Sequence, residues 1–189
     1  MSSEPLDDTM TDAELRMDAA VEHVRGEFGK IRTGRANPQL ITDLKVDYYG
    51  SPTPLQQLAS VSVPDPRMLV VSPYDRSAMR EIERAISSSD LGLNPNNDGN
   101  VIRVVFPELT EERRRQFARL ARERAEEGRV AIRNVRRAAR TAINRLADAG
   151  EIPDDEAQRT EARLQELTDR YVHEVDTLLG NKERELLEV

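Results

Sequence analysis

Apolar residues recur with a period close to 3.6 in three segments of the chain, and this pattern predicts three amphipathic helices. The stripe of the first helix is Met17, Val21, Val24, Phe28 and Ile31. Thr11 and Glu14 match a capping box, which predicts that this helix begins at Thr11. The segment Arg32–Pro38 should end it, because Gly34 permits a left-handed backbone and Pro38 disfavours helical geometry in the preceding residue.

The second and third helices are predicted in the C-terminal half of the chain. Thr110 is a suitable N-cap for a helix that runs to about Ala149, and its apolar seam is Ala118, Ala121, Ala125, Gly128, Ile132, Val135, Ala139, Ala142 and Leu146. Pro153, at a first helical position, opens the third helix, whose stripe is Leu164, Leu167, Tyr171, Val175 and Leu178. Three one-sided helices bury their apolar faces best against one another, which predicts an antiparallel three-helix bundle.

Residues 41–105 have a different pattern, with short β-rich runs between frequent Pro and Gly residues. The predicted strands are 44–49, 59–63, 68–72 and 101–106, and the predicted turns are 50–52, 64–66 and 97–99 with a hairpin turn at Asp98–Gly99. A helix over 75–88 has Asp75 or Ser77 as its cap. The sequence therefore predicts an α+β fold. Residues 1–31 and 108–189 form an elongated bundle, and residues 32–107 form an inserted, β-rich α/β domain joined to the bundle by two chain segments that act as a hinge.

Composition adds one feature that the net charge hides. The 189 residues have a net charge of -7, but residues 111–145 contain 12 arginines against 5 acidic residues, a local charge of +7. Cysteine is absent, which excludes disulfides, thiolate metal sites and a cysteine nucleophile. Neither a signal peptide nor an apolar run of membrane-spanning length is found. These features predict a soluble, cytoplasmic protein with one strongly basic helix.

Six arginines of the second helix fall on one narrow face. Each residue of an α-helix advances the side-chain direction by about 100°, so all six lie within roughly 40° of the direction of Arg129, beside the apolar seam. We call them the arginine strip: Arg115, Arg122, Arg129, Arg133, Arg136 and Arg140. Arg137 belongs with them because Arg129 to Arg145 contains no acidic residue. A guanidinium binds phosphate oxygens in bidentate geometry, so the strip predicts a contact with a line of RNA phosphates.

A second interpretation keeps the arginines inside the protein. The first and third helices are acidic, and the strip could pair with them, leaving a helical-bundle adaptor that binds another protein. Candidate catalytic or metal-ligating groups do not support an enzyme. His23 and His173 are single histidines on different helices, and the acidic run 154–156 fits the start of a helix. The chain lacks a P-loop, so the sequence predicts no cofactor, no metal and no catalytic residue.

Several segments, in one order, resemble the bacterial ribosome recycling factor family over roughly residues 11–187. They are Arg32–Pro38, Val46–Gly50, Thr53–Leu55, Ser89–Pro95, Asp98–Gly99 with Ile102–Arg103, Leu109–Arg114 and Arg133–Arg137. The resemblance implies an L-shaped molecule with a hinge at Arg32, Thr33, Gly34, Arg35, Phe106 and Pro107. It also implies that Arg129, Arg133 and above all Arg136 contact the ribosome.

The resemblance further implies a function in translation. Members of that family bind the 70S ribosome after peptide release, when it still holds mRNA and deacylated tRNA, and their bundle lies on large-subunit ribosomal RNA. Together with the GTPase elongation factor G, which hydrolyses GTP, they split the subunits without covalent chemistry of their own. We therefore expect these partners for a monomeric chain that uses neither DNA nor a membrane. We also expect the acidic helices to limit binding to unrelated RNA.

Overall fold

The computed structural model describes residues 4–187 and divides the chain into two compact units. The first unit runs to Ile31 and resumes at Glu111, and the second is Arg32–Thr110. The first unit consists of α1 (Glu4–Gly29), α5 (Glu111–Asp148) and α6 (Asp154–Leu187). The second contains α2 (Gln39–Thr42), β1 (Lys45–Tyr48), β2 (Ser51–Pro54), α3 (Leu55–Leu58), β3 (Ala59–Asp65), β4 (Met68–Pro73), α4 (Met79–Ser87), β5 (Asn94–Asn97) and β6 (Ile102–Val105).

The three long helices pack on one another as the apolar stripes predict. All five residues of the first predicted stripe are buried, including Ile31 just beyond the end of α1, as are Leu164, Tyr171 and Val175 of α6. Cross-helix pairs give the directions: Arg129 of α5 pairs with Asp176 of α6, and Arg140 pairs with Glu161. Partner numbers on α6 fall as numbers on α5 rise, so these two helices are antiparallel. The predicted antiparallel three-helix bundle is therefore present.

Two details of the bundle prediction are wrong. Helix α1 is already helical at Glu4, and Thr11 lies inside it, because the buried Leu6 continues the apolar stripe towards the N-terminus. The Glu14 carboxylate accepts a hydrogen bond from Arg170 at 2.7 Å and forms an inter-helix pair. On α5 the core position is Ile143, which is fully buried, while the predicted Ala142 is half-buried.

Gly128 marks the closest approach of α1 and α5. A Cβ atom on this glycine would lie 2.3 Å from Cγ2 of Val24, far inside van der Waals contact. Ala125 and Ala121, about one and two turns earlier on α5, are also fully buried. The small residues of the seam therefore set the distance between these two helices.

The second unit is built on a four-stranded antiparallel sheet with strand order β3-β4-β6-β5. Strands β1 and β2 form a separate antiparallel hairpin, and α4 packs against β1 and β5. The predicted helix 75–88 begins later, at Met79. Asp75, one of its two predicted caps, instead caps the 3-10 turn Arg76–Ala78 before α4, where its carboxylate accepts a hydrogen bond from the Ser77 N–H at 2.9 Å. The core combines α4 and both inner strands, with Ile82, Leu69 and Ile102 completely buried.

The sequence prediction missed two strands of this unit. Strand β2 lies partly in the predicted turn 50–52, and β5 is formed by four residues without an aliphatic or aromatic side chain other than Pro95. Strand β3 extends through Pro64 to Asp65, so the turn shifts to Pro66 and Arg67. Pro64 is tolerated because β3 is an edge strand. The Asp98–Gly99 turn joins β5 to β6.

Candidate nucleic-acid interface

The arginine strip follows α5 without interruption. From Arg115 to Arg140 the helix rises about 37 Å, or roughly seven turns, at 1.5 Å per residue. Glu111 and Glu112 lie in the first turn of α5, where they complement the helix dipole. Because the helix is continuous from Glu111 to Asp148, the spacing of these guanidinium groups is set by one rigid element.

Arg129 is a partly enclosed cation of the strip, with 20% of its side chain exposed. Its Nη1 atom lies 2.8 Å from Glu126, and its Nε atom lies 2.8 Å from Asp176 of α6. Burial alone lowers the pKa of Arg129, but its hydrogen bonds to these two carboxylates outweigh burial and raise the pKa. Hydrogen bonding to Arg129 in turn lowers the pKa of Glu126. Arg129 is therefore charged, and its guanidinium is held between the carboxylates of Glu126 and Asp176.

Carboxylates also contact four other strip arginines. Arg133 lies 2.9 Å from Glu126, and Arg115 pairs with Glu111 one turn earlier. The remaining two pairs reach α6, with Arg122 Nε 2.6 Å from Glu183 and Arg140 Nε 3.2 Å from Glu161. The arginine side chains of these four pairs are 47–79% exposed, so the pairs are open to solvent and individually weak.

Arg136 is the exception, because its partner is neutral. Its Nη1 atom donates to Oε1 of Gln165 at 2.7 Å, and the Gln165 amide donates to Asp169 at 2.8 Å. Its Nε atom is buried and has no hydrogen-bond partner within residues 4–187. Over the same residues, the exposed Arg137 side chain has no ion pair. Arg136 and Arg137 are thus the predicted contact residues whose charges no described carboxylate neutralises.

The strip therefore combines both sequence interpretations. Its arginines share one face, as the 100° rotation predicts, yet three of them pair with acids of the third helix. Although Arg129 to Arg145 contains no acidic residue, Arg133 has a partner in its own helix, because Glu126 lies two turns upstream. The acidic α1 contributes differently: its Glu27 lies 3.5 Å from Arg124, outside the strip.

The α6 partners are the residues that sequence reasoning missed. They are Glu161, Gln165, Asp176 and Glu183. Their spacings of 4, 11 and 7 residues are close to whole numbers of helical turns, which places them on one face of α6. That spacing was available as a signal, but the register between α5 and α6 was needed to match each partner with its arginine.

The six predicted hinge residues line one cavity of about 80 Å³, together with Leu40, Leu91, Leu93 and Leu109. Arg32 donates to the Asp90 carbonyl oxygen at 2.5 Å. Gly34 has φ of 79° and a Cβ there would lie 3.4 Å from Cγ of Leu109. The buried Phe106 donates its N–H to the Arg67 carbonyl oxygen at 2.7 Å. The two predicted hinge segments are therefore neighbours.

Residues 4–187 lack two other kinds of site. No helix in that range has the length and apolar character needed to cross a membrane. The same residues contain no group of three or more His, Asp or Glu side chains placed to hold a metal ion.

Comparison with known proteins gives a consistent result. The family model described as ribosome recycling factor matches residues 24–187. The ribosome-recycling factors of Salinispora arenicola and Thermobifida fusca are 52% and 53% identical to this chain over 184 residues, which cover 97% of this chain and 100% of each relative. These matches confirm the resemblance seen in the sequence.

Solved structures agree. A ribosome recycling factor solved in solution is 43% identical, with a TM-score of 0.81 over 100% of both chains, which confirms the α+β fold class. Another structure contains T. thermophilus ribosome recycling factor and E. coli elongation factor G bound to the E. coli post-termination complex. That factor is 45% identical, with a TM-score of 0.68 over 97% of this chain and 99% of its own. The chain belongs to the ribosome recycling factor family.

Proposed function

We propose that this chain binds the post-termination 70S ribosome through α5 and, with elongation factor G and GTP, splits the subunits so that they are recycled from mRNA and deacylated tRNA. The family consists of translation factors that are not enzymes, so GTP is hydrolysed by the partner. Support for the partners comes from the T. thermophilus relative, which is found with elongation factor G on a post-termination complex. The proposed function is exerted in the cytoplasm by a monomer.

The observation that carries the RNA contact is Arg136. Its guanidinium is held by a neutral amide, and its buried Nε has no protein partner among the described residues. A phosphate of large-subunit ribosomal RNA would supply the negative charge that the neutral Gln165 amide does not. Because contacts of this kind carry no base information, they suit a factor that acts on every ribosome.

The second part of the proposal concerns movement. We propose that the segments containing Arg32–Arg35 and Phe106–Pro107 form the hinge between the domains 32–107 and 1–31 with 108–189. Gly34 supports this role, because its backbone is in the left-handed region and its neighbour Leu109 leaves little space for a side chain. Elongation factor G would act on the inserted domain while the arginine strip holds the bundle on RNA.

The first experiment measures pelleting of wild-type protein and Arg136→Ala with 70S ribosomes over a salt series. Arg159→Ala is the matched control, since it removes an arginine of α6 that pairs with Asp155. We expect Arg136→Ala to bind about tenfold or more weakly with a smaller salt slope, and the control to bind within about twofold of wild type. The same proteins are then tested for subunit splitting with elongation factor G and GTP.

The adaptor remains the competing function, and one observation favours it. Three strip arginines are paired with carboxylates of α6, as internal ion pairs require. It predicts that ribosome association is absent or insensitive to salt, and that Arg136→Ala equals wild type. Either result would overturn the RNA contact.

A further inference from the structure

The face of α6 that opposes the arginine strip is chemically mixed. Carboxylates of Glu161, Asp176 and Glu183 contact three arginines at 2.6–3.2 Å. At Gln165, on the same face, the partner of Arg136 is an amide. A hydrogen bond from a neutral acceptor orients a guanidinium without cancelling its charge, whereas a carboxylate does both.

The carboxylates compete with phosphate for the same donors. The pairs of Arg122 and Arg140 are solvent-exposed on the arginine side, at 65% and 63%, so each is weak and is screened by salt. A rigid surface that presents several phosphates at the right spacing displaces such pairs together. A flexible RNA that offers one or two phosphates at a time must displace each pair separately and gains less.

Gln165 is held in place by its own neighbour. Its amide nitrogen donates to Asp169 at 2.8 Å, which leaves the carbonyl oxygen to accept from Arg136. The side chains of Gln165 and Asp169 are both exposed on α6. Gln165 therefore lies between the Asp169 carboxylate and the Arg136 guanidinium. It fixes the position of the guanidinium without bringing a carboxylate into contact with it.

We propose that this face of α6 determines RNA specificity. Glu161, Asp176 and Glu183 suppress binding to unrelated RNA, and Gln165 is a positioning residue that leaves Arg136 charged and ready for a ribosomal phosphate. The inference rests on the proposed function, because it assigns roles around an arginine strip that contacts RNA.

The decisive variant moves one carboxylate by one helical turn. Gln165→Glu with Asp169→Asn keeps the net charge of the protein and keeps a hydrogen bond possible between the two positions. It also puts the carboxylate directly on Arg136. We expect 70S ribosome binding to weaken about tenfold and the salt slope to fall by about one, because one phosphate contact is lost. Asp169→Asn alone keeps an acceptor oxygen for the Gln165 amide and puts no carboxylate on Arg136, so it should weaken binding far less than the double variant.

The opposite variant removes the suppressing charges. Glu161→Gln with Asp176→Asn and Glu183→Gln should bind poly(U) at least tenfold more tightly and steepen its salt slope by about two, since roughly 0.7 ions are released per phosphate of a single strand. The matched control removes three carboxylates whose arginine partners lie off the strip: Glu14→Gln, Glu22→Gln and Asp155→Asn. It should change poly(U) affinity by less than about threefold.

The outcomes separate this inference from the proposed function. If Arg136→Ala loses ribosome binding but the relocated carboxylate binds like wild type, the role of Gln165 is overturned and the function stands. If both acid-removal triples raise poly(U) affinity equally, net charge explains the effect and the role of the α6 acids is overturned. If Arg136→Ala itself binds like wild type, both proposals fail. Circular dichroism melts of every variant confirm folding, and the two arms use independent substitutions.

Discussion

In the three-helix unit the core residues of α5 at the crossing with α1 are small, whereas most core residues of the Arg32–Thr110 unit have branched aliphatic side chains. Gly128 and Ala125 let α1 approach so closely that a Cβ on Gly128 would overlap Val24. In the second unit, Ile82 and Ile102 are completely buried in a core shared by α4 and the sheet. The stability of the bundle thus depends on how closely its helices approach, and the stability of the insert depends on how well its interior is filled.

This difference has a functional consequence. The arginine strip and its α6 partners are surface groups on long helices, so they can be exchanged without disturbing either core. The predicted hinge residues, in contrast, include the buried Phe106 and the conformationally restricted Gly34. Substitutions on the strip should therefore change binding. In the cores, removing atoms should destabilise the insert, and adding atoms should destabilise the bundle.

Removing atoms should damage the insert most. Ile82→Ala leaves a cavity at a site with no solvent exposure, and such a change costs about 2–5 kcal/mol. Urea denaturation should show the loss, and hydrogen exchange should locate it in the amides of β4 and β6, with those of α5 still protected. Val63→Ala, at a 46% exposed position of β3, is the control and should cost less than about 1 kcal/mol. Equal losses in the two variants would show that Ile82 does not fill the core.

Adding one carbon should damage the bundle. Gly128→Ala introduces the overlap with Val24 and should destabilise the protein by about 1–3 kcal/mol, although alanine is the better helix former. Gly26→Ala in α1 has open space around the new methyl group and should stabilise by about 0.5–1 kcal/mol. The Val24→Ala background provides room and should reduce the Gly128→Ala penalty. Stabilisation by Gly128→Ala would contradict the close approach.

The same difference explains what the sequence could predict. Long helices repeat their period many times, so the stripes of α1, α5 and α6 were found even though the capping box at Thr11 was misleading. The strand β5 spans four residues, Asn94–Asn97, and has no alternation of apolar and polar side chains; only its pairing with β6 defines it.

The arginine strip was predictable for a similar reason, since its residues lie on one helix whose geometry fixes their directions. Their partners were not predictable, because they depend on the axial register of α5 against α6. A shift by one turn would give Arg136 a different partner from Gln165. Local geometry therefore follows from sequence, but the charge state of a surface depends on packing between elements.

The smallest expected effect sharpens the comparison at the surface of the insert. Asp98 accepts hydrogen bonds from the N–H groups of Val101 at 2.9 Å and Asn100 at 3.0 Å, and it pairs with Arg103. These bonds, the backbone ones first, lower the pKa of Asp98 from 3.8 to about 2.

Because the folded pKa is the lower one, the carboxylate stabilises the hairpin fully above about pH 4 and loses this contribution as the pH falls towards 2. Asp98→Ala should therefore lower the thermal midpoint at pH 7 by a small amount, and the difference from wild type should shrink steadily below pH 4. An NMR titration of the Asp98 carboxyl group measures the pKa directly. A midpoint near 3.8 in folded protein would mean that the turn does not hold the carboxylate, and would contradict its contribution to the stability of the insert.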